Sequence, residues 1–167
     1  MNEGARMEEC ARLAEKLEAH FRGVHAGAMR DVPICNENLA VASTGFRPCG
    51  DWALGIVVTP WFMNIVAAPL AGAAPVAALP GETQSLVLPS GMVECLAAKL
   101  DGFDRLLMCS LFSPMQDFED QEAALATAKA AFELLLTPPA PPPEPPVRSM
   151  DRRAFFRGGV RAPEGAS

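Results

Sequence analysis

The chain has 167 residues, half of them apolar and a fifth charged, which predicts one globular domain and excludes a collagen-like or wholly disordered chain. Residues 1–146 carry nine basic and 18 acidic side chains, a net charge of −9. Residues 147–167 carry five basic and two acidic side chains, a net charge of +3. The acidic body argues against nucleic acid as a partner. Five irregularly spaced cysteines without a C-x-x-C pair indicate reduced thiols, and the charged N-terminus does not fit a secretory signal, so we expect a cytoplasmic protein.

The first element is an amphipathic helix predicted over residues 5–21. Its apolar face consists of Cys10, Leu13, Ala14, Leu17 and Phe21. A loop over residues 22–38 follows, because glycines and a proline interrupt the helical period there. Residues 39–43 then predict a short edge strand.

Residues 52–81 form an uncharged run long enough to span a membrane as a continuous helix. Four prolines divide it into pieces that cannot satisfy their own backbone in lipid, so we expect no membrane span. The run instead predicts a strand over 52–58, a corner at Thr59-Pro60, a second strand over 61–67 and a loop of small residues.

Asp101-Gly102 separates two apolar runs within residues 92–112 and predicts a two-residue hairpin. In that register Leu100 is opposite Phe103, and Lys99 forms an opposite-charge pair with Asp104. Residues 106–112 are apolar on both faces, which predicts a strand inside a sheet that is covered on both sides.

A second amphipathic helix is predicted from an N-cap at Asp117 to a stop at Thr137-Pro138. Together the elements predict an α+β fold: an antiparallel sheet with a tight central hairpin, N-terminal and C-terminal amphipathic helices on one of its faces, and a disordered C-terminal tail. We divide the chain into a globular domain at 1–137, a spacer at 138–146 with seven prolines, and a basic tail at 147–167.

Catalytic and metal-binding signatures are missing from the sequence. His20 and His25 are five residues apart and have no ligand-spaced partner, and no phosphate, dinucleotide or nucleophile-elbow motif occurs. We therefore expect no enzyme activity, no metal and no cofactor. The alternative is a thiol-dependent redox protein that uses Cys109 or Cys49; in the predicted hairpin Cys109 is opposite Glu94, which favours a buried, unreactive thiol.

Four blocks of sequence resemble one protein family. They are T-P-W-F-M-N at 59–64, L-P-S-G at 88–91, C-S-L-F-S-P-M at 109–115 and R-R-A-F-F-R-G at 152–158. In order and spacing they are similar to the nickel-iron hydrogenase assembly chaperones of the HybE/HupJ type, over residues 10–137 and the tail motif. The resemblance implies a non-enzymatic maturation factor that binds a hydrogenase subunit precursor, its client, until the metal centres are in place. In particular, it implies a client exported with a twin-arginine signal. Whether the client is the small or the large subunit, and whether the chaperone forms a homodimer, stays open.

The uncharged stretch at 61–79 is the predicted client platform, since exposed Trp, Phe and Met suit adaptable recognition. The candidate client-binding residues are Trp61, Phe62, Met63, Asn64, Phe112 and Met115. Burial statistics favour the core for any single one of Trp61, Phe62 and Met63, so that interpretation stands beside the functional one.

The tail motif consists of Arg152, Arg153, Phe155, Phe156 and Arg157 and resembles a twin-arginine signal at the wrong end of the chain. No apolar run follows the arginines, so the motif cannot direct export. Our hypothesis is a pseudo-signal that occupies an acidic and apolar groove of the chaperone, or of a neighbouring copy, until a client displaces it. The alternative is a disordered basic tail that adds solubility.

Overall fold

A computed structural model describes residues 2–140 as two helices and seven strands. In chain order they are α1 Glu3–Ala26, β1 Ala42–Ser43, β2 Arg47–Cys49, β3 Trp52–Val58, β4 Met63–Pro69, β5 Thr83–Leu88, β6 Gly91–Ala98, β7 Leu106–Phe112 and α2 Gln121–Leu136. The predicted tail and its twin-arginine-like motif lie outside the described residues.

The strands form one antiparallel sheet in the order β1-β3-β4-β7-β6-β5, and β2 also pairs with β3. This confirms the predicted α+β class. Strand β3 agrees with the prediction, since its apolar run ends at the Thr59-Pro60 corner. Strand β4 begins two residues later than predicted, because Trp61 and Phe62 belong to that corner. Strand β5 had not been predicted.

The two helices lie on opposite faces of the sheet, so the prediction that both cover one face is wrong. Successive strand residues point to opposite faces, and β3 therefore serves two cores. The α1-side core joins α1 to Ala53 and Val57, whereas the α2-side core joins α2 to Leu54 and Ile56. Strand β7 contributes Leu106 to the first core and Leu107 to the second, which confirms a strand covered on both sides near its start.

Both helices begin at a side-chain cap. The Asn2 side chain accepts a hydrogen bond from the Ala5 amide, and α1 continues five residues beyond its predicted end, so His25 is helical. Helix α2 begins after Asp120, whose carboxylate accepts from the Ala123 amide at 2.8 Å, and not after Asp117 as predicted. It ends at the predicted place, with Thr137 as C-cap. Among the described residues, no helix is long and apolar enough to cross a membrane.

The β6–β7 hairpin exists, but its predicted register is wrong by one residue. Ala98 pairs with Leu106 across a seven-residue loop, and Lys99 donates to the carbonyls of Leu100 and Phe103 instead of pairing with Asp104. Only Gly102 of the two turn residues has a positive φ, 83°, whereas the predicted tight turn needs it at both. The longer loop lets Phe103 become buried in the α1-side core.

Candidate functional site

The Thr59–Phe62 corner is fixed from within by the buried Thr59. The Thr59 hydroxyl oxygen accepts from the amides of Trp61 at 3.2 Å and Phe62 at 2.9 Å. The Thr59 amide donates to the Phe62 carbonyl at 2.8 Å, which closes the connection between β3 and β4. These bonds need a hydroxyl at position 59, and they hold the two aromatic residues at the tip of the corner.

Trp61 and Phe62 pack on the C-terminal half of α1 and remain partly exposed. The Phe62 ring lies 5.3 Å from that of Phe21 and 5.6 Å from that of Trp61, both edge to face. His25 places its ring 5.9 Å from Trp61. The α1-side core thus fixes both rings from one side and leaves their other side accessible to a partner.

Asn64 is the one strand residue of this region with an unsatisfied polar atom. It follows the corner on β4, where it pairs with Val57 of β3 and Ser110 of β7. Its side-chain oxygen, Oδ1, is buried and has no hydrogen-bond partner among the described residues. An unpaired buried acceptor is costly, and because the oxygen is buried a client cannot reach it in this conformation.

Phe112 ends β7 opposite Met63, at the same end of the sheet as the corner, and 43% of it is exposed. Its ring stacks edge to face on Phe118 at 5.2 Å. Met63 and Met115, by contrast, are fully buried in the α2-side core and present no atoms to a partner. The predicted platform therefore loses both methionines, which close the core beneath it.

Asn36 links the T-P-W-F-M-N block at 59–64 to the C-S-L-F-S-P-M block at 109–115. The sequence did not indicate this role. The Asn36 amide group donates to the carbonyls of Met115 at 2.9 Å and Phe118 at 2.8 Å, while its backbone N–H donates to the Pro60 carbonyl at 2.8 Å. The residue is buried, so these bonds satisfy groups that water cannot reach. Nothing in the local C-N-E-N sequence distinguishes Asn36 from an ordinary loop residue.

A cleft of about 500 Å³ lies between the end of α1 and the loop that follows it, with His25 among its lining residues. Both basic and acidic side chains line it, namely Arg22, Arg30, Asp31 and Glu37. A mixed lining of this kind suits an extended polypeptide better than a small ion of one sign.

The cysteines do not have the environment of reactive thiols. Burial raises the pKa of Cys49 and of Cys109, and burial followed by the charge of Glu9 raises that of Cys10 to about 11. Burial, followed by Cys109 and by the adjacent Glu94, raises the pKa of Cys95 to about 11. A thiol with a raised pKa holds little thiolate at neutral pH and is a poor nucleophile.

The two histidines lie against aromatic rings. His20 packs edge to face on Phe21 at 4.9 Å and on Phe103 at 5.9 Å, whereas His25 faces Trp61. Across residues 2–140, no group of three or more His, Cys, Asp or Glu side chains is placed to hold a metal ion.

A family model described as "[NiFe]-hydrogenase assembly, chaperone, HybE" matches residues 12–158. The chain belongs to this family. The matched segment contains the corner, Asn36, Asn64 and Phe112, and it extends through the twin-arginine-like motif of the tail. A role in hydrogenase maturation follows from the membership.

Individual relatives agree with this assignment. The hydrogenase expression/formation protein HupJ of Bradyrhizobium diazoefficiens is 40% identical over 147 residues, which are 85% of each chain. The hydrogenase expression/formation protein HoxT of Azotobacter vinelandii is 41% identical over 155 residues, 92% of this chain and 97% of its own. The solution structure of HybE from Escherichia coli is similar with a TM-score of 0.62 and 25% identity, over 92% of this chain and 93% of that one.

Proposed function

We propose that the protein binds a nickel-iron hydrogenase subunit precursor in the cytoplasm and holds it, without catalysis, until its metal centres are assembled and twin-arginine export can begin. Family membership supports the maturation role, and two of its relatives are named for hydrogenase expression and formation.

The observation that carries the proposal is the pair of partly exposed aromatic rings at the Trp61–Phe62 corner, which Thr59 holds in place. The aromatic rings provide rigid apolar contact area for a client, whereas the Asn64 oxygen is buried and is not a contact atom. Phe112 lies at the same end of the sheet but stacks on Phe118 at the α2-side core, so a client that contacts all three rings must wrap around that end; we assign Trp61, Phe62 and Phe112 to the client site. Together they form what we call the corner site.

The alternative, a thiol-dependent redox protein, is disfavoured by the raised pKa values of Cys49 and Cys109. Alkylation of both thiols at neutral pH should be slow in the folded protein and fast after unfolding in urea. Fast labelling of either thiol in the folded state would favour the redox function.

The direct test is a pull-down of the full-length protein from cells that make the hydrogenase, with and without the signal peptide of the client. We expect recovery of one hydrogenase subunit precursor. Recovery of neither subunit would contradict the proposed function.

Trp61→Ala should weaken client recovery at least tenfold while the domain stays folded, because the side chain is only partly buried. The matched control is Trp52→Ala, since Trp52 is the second tryptophan and pairs with Pro69 at the other end of β3 and β4. Circular dichroism of both variants separates unfolding from lost binding. Equal recovery with the two variants would remove Trp61 from the client site.

A further inference from the structure

Part of the sheet has no helix over it on the α1 side. Helix α1 packs over β1, β2 and β3, and it does not extend over β5 and β6. Alternate residues of β5 and β6 point into the α2-side core, among them Leu86, Leu88 and Cys95. The other side chains of the two strands are exposed, and we call them the bare face: Thr83, Ser85, Val87, Met92, Glu94 and Leu96.

The bare face is more apolar than a sheet surface open to solvent. Such a surface usually alternates apolar inward residues with polar outward ones. Here Val87 is 73% exposed and lies directly opposite Met92, which is 70% exposed, while Leu96 is 52% exposed. Glu94 is the one ionisable member of the bare face, and it accepts a hydrogen bond from the Ser85 hydroxyl at 3.2 Å.

The end of α2 determines where the remaining chain begins. The Ser90 amide, in the turn between β5 and β6, donates to the Leu135 carbonyl at 3.2 Å and ties the last turn of α2 to this hairpin. Val87 and Met92 are within three residues of Ser90, which places them within about 10 Å along the strands at roughly 3.3 Å per residue. The described chain therefore leaves α2 next to the β5–β6 turn, and the bare face is reached around that end of the hairpin.

We propose that residues 147–157 of the same chain occupy the bare face, with Phe155 and Phe156 on Val87, Met92 and Leu96. The arginines Arg152 and Arg153 then lie toward Glu94. The charges are complementary, since the tail carries +3 and residues 1–146 carry −9. The exposed apolar side chains of the bare face have no partner among the described residues. The two phenylalanines supply a large apolar area that covers them.

The length of the intervening chain permits this contact. An extended chain of the length of the proline-rich residues 138–146 would reach about 28 Å at roughly 3.1 Å per residue, and the eight residues of β6 span about 26 Å. The phenylalanines can therefore reach any part of the bare face. A segment tethered at this range acts at an effective concentration of about a millimolar, so even weak contacts suffice for occupancy.

The proposed contact also covers apolar surface next to the edge strand β5. Strand β5 is at the edge of the sheet, has neither lysine nor proline, and is flanked by the apolar bare face. An unprotected strand of this kind is a template for pairing with other chains. The inference concerns the free protein and does not depend on the client or on the corner site.

Methyl NMR of the full-length protein tests the proposal, with the double variant F155A/F156A compared with the control V160A, which lies outside the proposed segment. We expect the Val87, Met92 and Leu96 methyl signals to move in the first variant and to stay in place in the second, at all protein concentrations. Signals that do not move in F155A/F156A would overturn the proposal. Movement that depends on protein concentration would identify another copy as the occupant and would also overturn it.

A substitution on the bare face provides the reciprocal test. Val87→Asp should shift the backbone amide signals of residues 152–157, because it replaces apolar contact area with a charged carboxylate. The matched control is Leu134→Asp, since Leu134 is also 70% exposed but lies on α2. Unchanged signals for residues 152–157 in the Val87 variant would contradict the proposed contact.

Discussion

Gly55 of β3 leaves room for an aromatic ring to lie directly on the strand. A Cβ at this position would be 2.5 Å from Cδ1 of Phe46, closer than real Cβ contacts allow. The buried Phe46 covers the strand on the α1 side, so its ring takes the volume that a side chain would fill. A glycine at position 55 thus determines how closely the chain before β2 packs on the sheet.

Gly55→Ala should lower the free energy of unfolding by about 1–3 kcal/mol, because the ring of Phe46 must move to admit the methyl group. Urea denaturation measures the loss. Phe46→Leu in the same chain should recover part of it, since leucine needs less space above position 55. A Gly55→Ala variant as stable as the wild type would show that the ring has another place to go.

Leu107 fills the α2-side core between two small neighbours. It pairs with Ala67 on β4 and with Ala97 on β6, and it is fully buried. Leu107→Ala should therefore lower the free energy of unfolding by about 2–5 kcal/mol, since neither alanine can fill the cavity.

Leu134→Ala is the control for this prediction, because 70% of Leu134 is exposed. It should change the stability by less than about 0.5 kcal/mol in the same denaturation experiment. Similar losses for the two variants would mean that burial does not determine their contribution.

Among the elements, α2 offers the clearest test of a helix start. The Asp120 carboxylate accepts from the Ala123 amide, so Asp120→Ala should lower the free energy of unfolding by about 0.5–2 kcal/mol. Asp117→Ala is the matched control, since Asp117 is an exposed carboxylate three residues before the cap. Thermal unfolding compares the two, and a larger loss for Asp117→Ala would contradict the observed helix start.

The elements most visible in the sequence were those with a strong local signal. Strand β3 could be predicted because its apolar run is bounded on both sides, and the α2 stop because Thr137-Pro138 ends the helical period. The hairpin register could not, because the sequence Asp101-Gly102 does not reveal that Asp101 keeps a negative φ. The burial of Phe103 favours the longer loop, and that is a tertiary effect.

The placement of the helices and of the site depended on contacts distant in sequence. An amphipathic stripe shows that a helix covers a sheet, but it does not show which face the helix covers. The sequence therefore could not reveal that α1 and α2 lie on opposite faces. Of the candidate client-binding residues, Trp61, Phe62 and Phe112 are accessible, whereas Met63 and Met115 are core residues, which the sequence alone could not distinguish. Asn36 could not be found, because its three hydrogen bonds join segments that are far apart in the sequence.

At the scale of the whole molecule, the acidic body and the basic tail predict competition for an added peptide. If the tail occupies the bare face and an added twin-arginine peptide binds to the same face, R152A/R153A should bind that peptide more tightly than the wild type in a titration at low salt. The difference should shrink as salt screens the charges.

The control for this titration is R148A/R161A, which removes the same charge from the tail outside the motif. It should retain an affinity close to that of the wild type. Unchanged peptide affinity in R152A/R153A would contradict the competition, and weaker affinity would make the motif part of the peptide-binding surface.

The sheet consists of two halves that meet at a single ladder, and this determines the order in which it can form. Among the described strands, β1 to β4 pair with one another, and β5 to β7 pair with one another, in each case between segments close in sequence. The β4–β7 pairing instead joins Ala67 to Leu107, 40 residues away. Local contacts form early in folding, and distant pairings wait for loop closure. We expect each half to assemble as a local meander, with docking of β7 on β4 as the slow step that completes the α2-side core.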